Sequence, residues 1–285
     1  MMRSLVEDQP ARLRVAEHPL HVRITGFARR YLPPALLLAL AVAAWQALAM
    51  ALAVPDWLLP KPSTIWQATV DEHDLLLQNT PPTLEIALLG FGLALLLGLT
   101  LAIAIHYSRL VELALYPILI GSQSVPLLAL APILVVLLGY NVLPKLIMVC
   151  LICFFPIVVN TVDGFKSVDP DLVNLMRSLG AGKLRLFRDV EFPTALPYIF
   201  SGAKVAATFA VVGAIVGEWV GSSEGLGYLM IQKQSQFDTA VIFSAMLILT
   251  ALGIGMFLAV AIAERVLMPW HHGEKQRDAL QTRDR

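Results

Sequence analysis

Six stretches of this chain are apolar over twenty residues or more and hold at most two charges each. They run from about Leu32 to Ala53, Pro82 to Ile105, Leu113 to Tyr140, Leu143 to Val162, Pro193 to Val220 and Thr239 to Ala263. A helix needs about 20 apolar residues to cross the hydrocarbon of a bilayer, so each stretch is expected to span. The third is long for one straight crossing. Pro117, Pro126 and Pro132 divide it, which predicts a kinked span, partly unwound near "GSQSVP". The 221–238 segment is too polar to cross and is expected to fold as a short outer gate helix.

One stretch departs from this pattern. "NLMRSLGAGKLRLFRDVEFP", residues 174–193, alternates basic and apolar residues at helical spacing. Just before it, "SVDPDL" offers Asp169 as N-cap, Pro170 for the first helical position and Asp171 for the positive helix end. Leu172, Leu175, Met176 and Leu179 fall at i, i+3, i+4 and i+7, one apolar face. Gly180 is a natural stop. A second short helix is expected over Lys183–Val190, with Leu184, Phe187 and Val190 on one side and Arg185 and Arg188 on another. Pro193 and Pro197 then begin the fifth span. The prediction is a helix–Gly–helix elbow over residues 168–192.

Composition sharpens this. The chain of 285 residues is 57% hydrophobic and 15% charged, against about a quarter charged for a soluble domain. The fold class is therefore an all-α integral membrane protein. Net charge is zero, but its placement is informative. Seventeen Lys and Arg fall in the N-terminal thirty residues, the loop at Arg109, the elbow and the tail from Glu264, against Lys61, Lys145 and Lys233 on the other side. The positive-inside bias puts both termini and the elbow in the cytoplasm. Residues 1–30 read as a cytoplasmic tail, loosely ordered or lying on the membrane, and not as a cleavable signal. Residues 31–267 form the transmembrane domain and 268–285 a second cytoplasmic tail. Membrane lipid is the expected surrounding, and nothing points to nucleic acid.

Chemistry is sparse. Cys150 and Cys153 form a C-x-x-C in an apolar tract without His or a second pair at ligand spacing, so no metal or redox role is assigned. "GAGK" is not a phosphate loop, because Arg177 and Leu184 stand where that motif needs Gly and Ser or Thr. No catalytic cluster supports an enzyme. Gly213, Gly217 and Gly221 continue a looser small-residue row from Gly202, Ala206 and Ala210. Such rows let helices approach, within one chain, between subunits or along a moving wall. Polar groups at membrane depth are functional candidates. Gln123 and Ser124 could line a pathway, and Glu218 a pathway or gate, although Glu218 and Glu85 both lie near the outer edge. Lys204, early in the fifth span, is expected to snorkel to the cytosolic interface. Trp219, Tyr228 and Trp270 suit interfacial belts.

The spacing of the elbow carries a resemblance. Gly180, nine residues, then Val190-Glu191-Phe192-Pro193 resembles the signature of permease subunits of binding-protein-dependent ABC importers. That signature is Glu-Ala-Ala, three residues, Gly, nine residues, Ile-x-Leu-Pro. Here Asn174-Leu175-Met176 stands for the triplet and Phe192 for the Leu. "LPKPSTIWQA", "SVPLLALAPILVVLLGY", "FFPIVVNTVDGFKSVDPDLV" and "GEWVGSSEGLGYLM" look like the nitrate/sulfonate/taurine branch, and "GYNVLPK" and "ERVLMPWHH" like relatives importing hydroxymethylpyrimidine or riboflavin.

The resemblance implies a type I ABC importer permease fold, multi-pass in a bacterial inner membrane. It makes the elbow a coupling helix docked on a dimer of ATPase subunits, which bind the ATP, so that this chain needs no cofactor. Its ATPase-coupling residues would be Asn174, Leu175, Met176, Arg177, Leu179, Gly180, Arg185 and Pro193. An extracytoplasmic binding protein would deliver the solute, a small organic anion or a heteroaromatic vitamin precursor. A second permease copy, identical or a sister chain, would complete the pathway. The competing reading is an ion-coupled secondary transporter or channel.

Overall fold

Proline and glycine decide where the long apolar tracts run straight and where they turn. The computed structural model describes residues 20–269, with side chains from residue 32 onward. Most of the two expected tails, and Trp270, lie outside the described residues. The first unit, residues 1–54, contains helix α1 (Leu20–Ala51), whose described large apolar side chains, Leu36, Leu37, Leu38 and Leu40 among them, are exposed. An apolar surface of that kind suits lipid.

The second unit, residues 55–285, holds the remaining helices. In order they are α2 (Pro62–Asp71), α3 (His73–Tyr107), α4 (Arg109–Ser122), α5 (Leu127–Leu138), α6 (Val142–Lys166), α7 (Pro170–Ser178), α8 (Lys183–Leu186), a π-helical turn (Phe187–Glu191), α9 (Phe192–Gly221), α10 (Leu226–Ser235) and α11 (Thr239–Leu267). Four long helices of this unit can cross a membrane, and α4 with α5 makes a broken pair.

The broken pair differs from the kinked span expected over 113–140. α4 and α5 meet at 102°, far sharper than a proline kink. Pro117 and Pro132 stay inside their helices, and only Pro126 marks the break. Three tight i→i+3 bonds close α4, from the amides of Gln123, Ser124 and Val125. Pro126, extended and lacking an N–H, then opens α5 in a new direction.

The second span is also longer than expected, because α3 runs through Pro81 and Pro82 to begin at His73. The fifth differs more. Residues Lys183–Gly221 form one helical path of 39 residues, so the second arm of the elbow is the root of the span itself. Pro193 explains the π-turn beneath it. An interior proline clashes with the carbonyl four residues back, here Asp189, and the wider turn relieves this. Phe192 donates instead to Phe187 O, five residues back.

The core is the α3–α6–α9 sandwich, with α6 packed most extensively on α9. Small residues set its spacing. A Cβ on Gly213 would stand 2.8 Å from Val149 Cα, and one on Gly217 2.9 Å from Lys145 Cα. Ala206, Ala207, Ala210 and Ala214 are wholly buried between these contacts. The small-residue row of α9 therefore faces α6 within the chain, and Gly221 meets the Val135 side chain of α5. Lipid offers no hydrophobic drive between helices, so close van der Waals contact must hold them. Buried Cys153 adds a contact from Sγ to Ala206 O at 3.2 Å.

The Lys204 ammonium meets Glu264 of α11 at 2.9 Å, with both side chains largely covered. From Lys204 to Gly221 α9 rises about 25 Å at 1.5 Å per residue, close to the ~30 Å hydrocarbon thickness. The stretch before Lys204 is surplus to a crossing, and it carries the elbow.

Candidate functional site

The elbow begins with a well-made helix start. Asp169 Oδ1 accepts the Asp171 amide at 2.9 Å, and Pro170 occupies the first helical position. Asp171 places negative charge in the first turn and Arg177 positive charge in the last, both favourable to the helix dipole. The end of α7 is a Schellman closure: Ala181 N donates to Met176 O at 3.0 Å and Gly180 N to Arg177 O at 3.0 Å. Gly180 takes φ +80° to achieve this. Nothing lies within 4 Å of a Cβ placed there, so conformation and not space requires the glycine.

No residue of α7 is buried. Leu175 is 55% exposed, Leu179 73% and Leu184, on α8, 80%. Asn174 and Arg177 are exposed beside them, and Met176 is half-buried. Arg185 reaches Asp189 only at 3.6 Å on an open surface, a contact of little energetic weight. The other expected elbow residue, Pro193, is half-buried above the π-turn.

The opposite face of the elbow is clasped. Leu186, Val190 and Glu191 are buried. Phe187 packs near Phe165, Ala195 and Ile199, with ring centroids 6.0 Å from Phe165 and 5.6 Å from Phe192. Glu191 Oε2 accepts the Tyr107 hydroxyl at 2.9 Å and lies 3.2 Å from His106 Nε2. Beside this cluster is a polar cavity of about 370 Å³ lined by His106, Tyr107, Arg177, Lys183, Leu186 and Glu191. Nothing local in the sequence joins His106, Tyr107 and Glu191 into one cluster. The signal available was one carboxylate in the apolar entry to a span, "VEFP", but its partners lie 84 and 85 positions earlier.

At the far end the structure separates the three expected pathway residues. Gln123 and Ser124 are exposed at the α4–α5 corner. Glu218 is 1% exposed. Its Oε2 accepts the Gly227 amide at 2.7 Å, in the first turn of α10. Asn79 Oδ1 takes the Gly225 amide at 3.0 Å and Thr83 Oγ1 the Leu226 amide at 2.8 Å. The α10 N-terminus thus gives its first amides to side chains of α3 and α9, satisfying groups that a helix leaves open. Gly225, at φ +105°, is needed twice over, since a Cβ would stand 2.4 Å from the Glu218 carboxyl carbon. Lys145 Nζ donates to Ser222 Oγ at 2.7 Å and closes the same corner. Among the described residues there is no cluster of His, Cys, Asp and Glu able to hold a metal ion.

Residues 94–270 match the family described as "Binding-protein-dependent transport system inner membrane component". The chain is 39% identical over 240 residues to the formylaminopyrimidine transport permease protein ThiX of Halalkalibacterium halodurans, covering 84% of this chain and 96% of that one. It is 36% identical to the riboflavin transport system permease protein RibX of Chloroflexus aurantiacus, covering 79% and 85%. In fold it is similar to a chain of the inward-facing MetNI methionine ABC transporter, with a TM-score of 0.60 at 18% identity over 69% of this chain and 97% of that chain.

Proposed function

The chain belongs to the family of binding-protein-dependent transport system inner membrane components, the membrane permeases of ABC importers, and we propose that its elbow seats a partner ATPase. The observation that carries this is the pairing of an uncovered apolar face with a rigid mount. Leu175, Leu179 and Leu184 are exposed, yet the second arm is the root of a helical path of 39 residues, Lys183–Gly221. Three leucines uncovered at a polar helix end suit a partner's groove, with Arg177 and Arg188 setting register at the rim. Helical continuity suits force transmission, because a slack loop would absorb the displacement.

In this reading the elbow and both termini lie in the cytoplasm, as the basic residues favour. ATP is bound and hydrolysed in the partner, two permease copies enclose the pathway, and an extracytoplasmic binding protein supplies the solute. Gln123 and Ser124, exposed where α4 and α5 meet at 102°, are its pathway residues. Glu218 acts on the gate by holding α10 in place. The solute is a heteroaromatic vitamin precursor, supported by the names of two relatives above 35% identity.

The test is to place cysteines at positions 179 and 184, crosslink, and assay uptake in vesicles reconstituted with a candidate ATPase and binding protein. Capture of the ATPase and ATP-dependent uptake are expected. Uptake that follows an ion gradient with no ATPase captured would overturn the proposal in favour of a secondary transporter.

A further inference from the structure

Glu191 is the one carboxylate buried at the elbow end among the described residues. It sits in the π-turn, a helical form often found where function demands irregular geometry. Three long helices converge on it. Tyr107 and His106 reach it from α3 at 2.9 and 3.2 Å. The His106 ring stacks on Phe165 of α6, with centroids 4.6 Å apart and planes at 21°, and Phe187 lies 6.1 Å from Tyr107. Arg177 and Lys183 face the same cavity, and neither forms an ion pair with Glu191.

The position of α3 gives this contact its meaning. At the elbow end, the polar ties from α3 to the α8–α9 root run through Glu191 among the described residues. At its other end α3 holds the first amides of α10 through Asn79 and Thr83. Tyr107 and Asn79 are about 40 Å apart along α3 at 1.5 Å per residue. One helix is thus hydrogen-bonded to the elbow at one end and to the short outer helix at the other.

We propose that Glu191 is a positioning residue that fastens α3 to the elbow, so that elbow displacement reaches α10 through α3 as well as through α9. This rests on the reading that an ATPase moves the elbow. The Tyr107 and His106 contacts make the junction stiff in the direction of the hydrogen bonds, with the Glu191 side chain itself buried. Without the clasp, the elbow end of α3 follows α9 through side-chain packing alone.

The experiment uses the whole transporter in proteoliposomes and reads solute imported per ATP hydrolysed. Glu191→Ala and Tyr107→Phe should still bind the ATPase and hydrolyse ATP, with import per ATP falling about five- to tenfold, the size of a modest coupling energy. Glu191→Gln, which keeps an acceptor for the Tyr107 hydroxyl, should lose less. A double variant, Tyr107→Cys with Glu191→Cys, should regain coupling when a short bifunctional thiol reagent joins the two positions. The chain's own Cys150 and Cys153 are buried and out of its reach. A merely structural role predicts a lowered melting temperature without a change in import per ATP, and no rescue by the crosslink. Unchanged import per ATP in Glu191→Ala and Tyr107→Phe, or a crosslink that restores nothing, overturns the clasp. Wild-type protein that imports solute without hydrolysing ATP overturns the docking reading instead.

Discussion

The Glu218 carboxylate receives the Gly227 amide at 2.7 Å across the corner between α9 and α10. A buried acid at a helix N-terminus is stabilised by the amide and by the helix dipole together. Removing it leaves a buried donor unpaired. Glu218→Ala is expected to cost about 1–3 kcal/mol, and Glu218→Gln less, since it keeps an acceptor. Thermal unfolding in detergent checks the order, and equal midpoints for wild type and Glu218→Ala would contradict it.

Gly180 tests conformation without crowding. With open space around it and φ +80°, Gly180→Ala should insert normally and strain the elbow by roughly 1–2 kcal/mol. Gly180→Pro cannot adopt that angle and loses the amide that bonds Arg177 O. The expected result is a proline variant that reaches the membrane but imports little solute for the ATP it consumes. Normal uptake by Gly180→Pro would count against the elbow's role.

The α6–α9 seam makes the opposite prediction. A side chain at Gly213 or Gly217 meets backbone at 2.8 or 2.9 Å, which cannot rotate away. Gly213→Leu and Gly217→Leu should each lose at least about 1–3 kcal/mol or fail to fold. Gly92→Leu and Gly253→Leu, with nothing within 4 Å, should be tolerated in the isolated chain. Comparing the yield of folded protein for the four variants settles the matter.

Two leucines two positions apart in the same arm separate docking from folding. Leu186 is 4% exposed and Leu184 80%. Leu184→Glu and Leu179→Glu should leave the melting temperature nearly unchanged while reducing ATPase co-purification. Leu186→Glu buries an unpaired charge and should destabilise the chain itself. A Leu184→Glu variant that still captures the ATPase fully would show that this face is not the contact.

The long apolar tracts, the lopsided basic residues, the Asp169–Pro170 start and the Gly180 stop could be read directly, because each is local. A tract's length decides whether it crosses lipid, and a capping residue acts within its own turn. The same locality misled at prolines. Pro117, Pro126 and Pro132 look equivalent in the chain, yet only Pro126 breaks a helix. Pro193 looked like a helix start and proved to be passed by a π-turn, because neighbours packed on both sides reward a continuous α9.

Sequence alone thus determined that this is a polytopic helical protein with an amphipathic elbow, since composition and short-range periodicity act through the nearest residues and the solvent around them. Only the tertiary structure decided which polar groups meet. Lys204 with Glu264, Glu191 with Tyr107 and His106, and Glu218 with Gly227 are choices made by helix packing. In lipid an unpaired polar group is costly, so each takes a partner that the packing of neighbouring helices brings within reach.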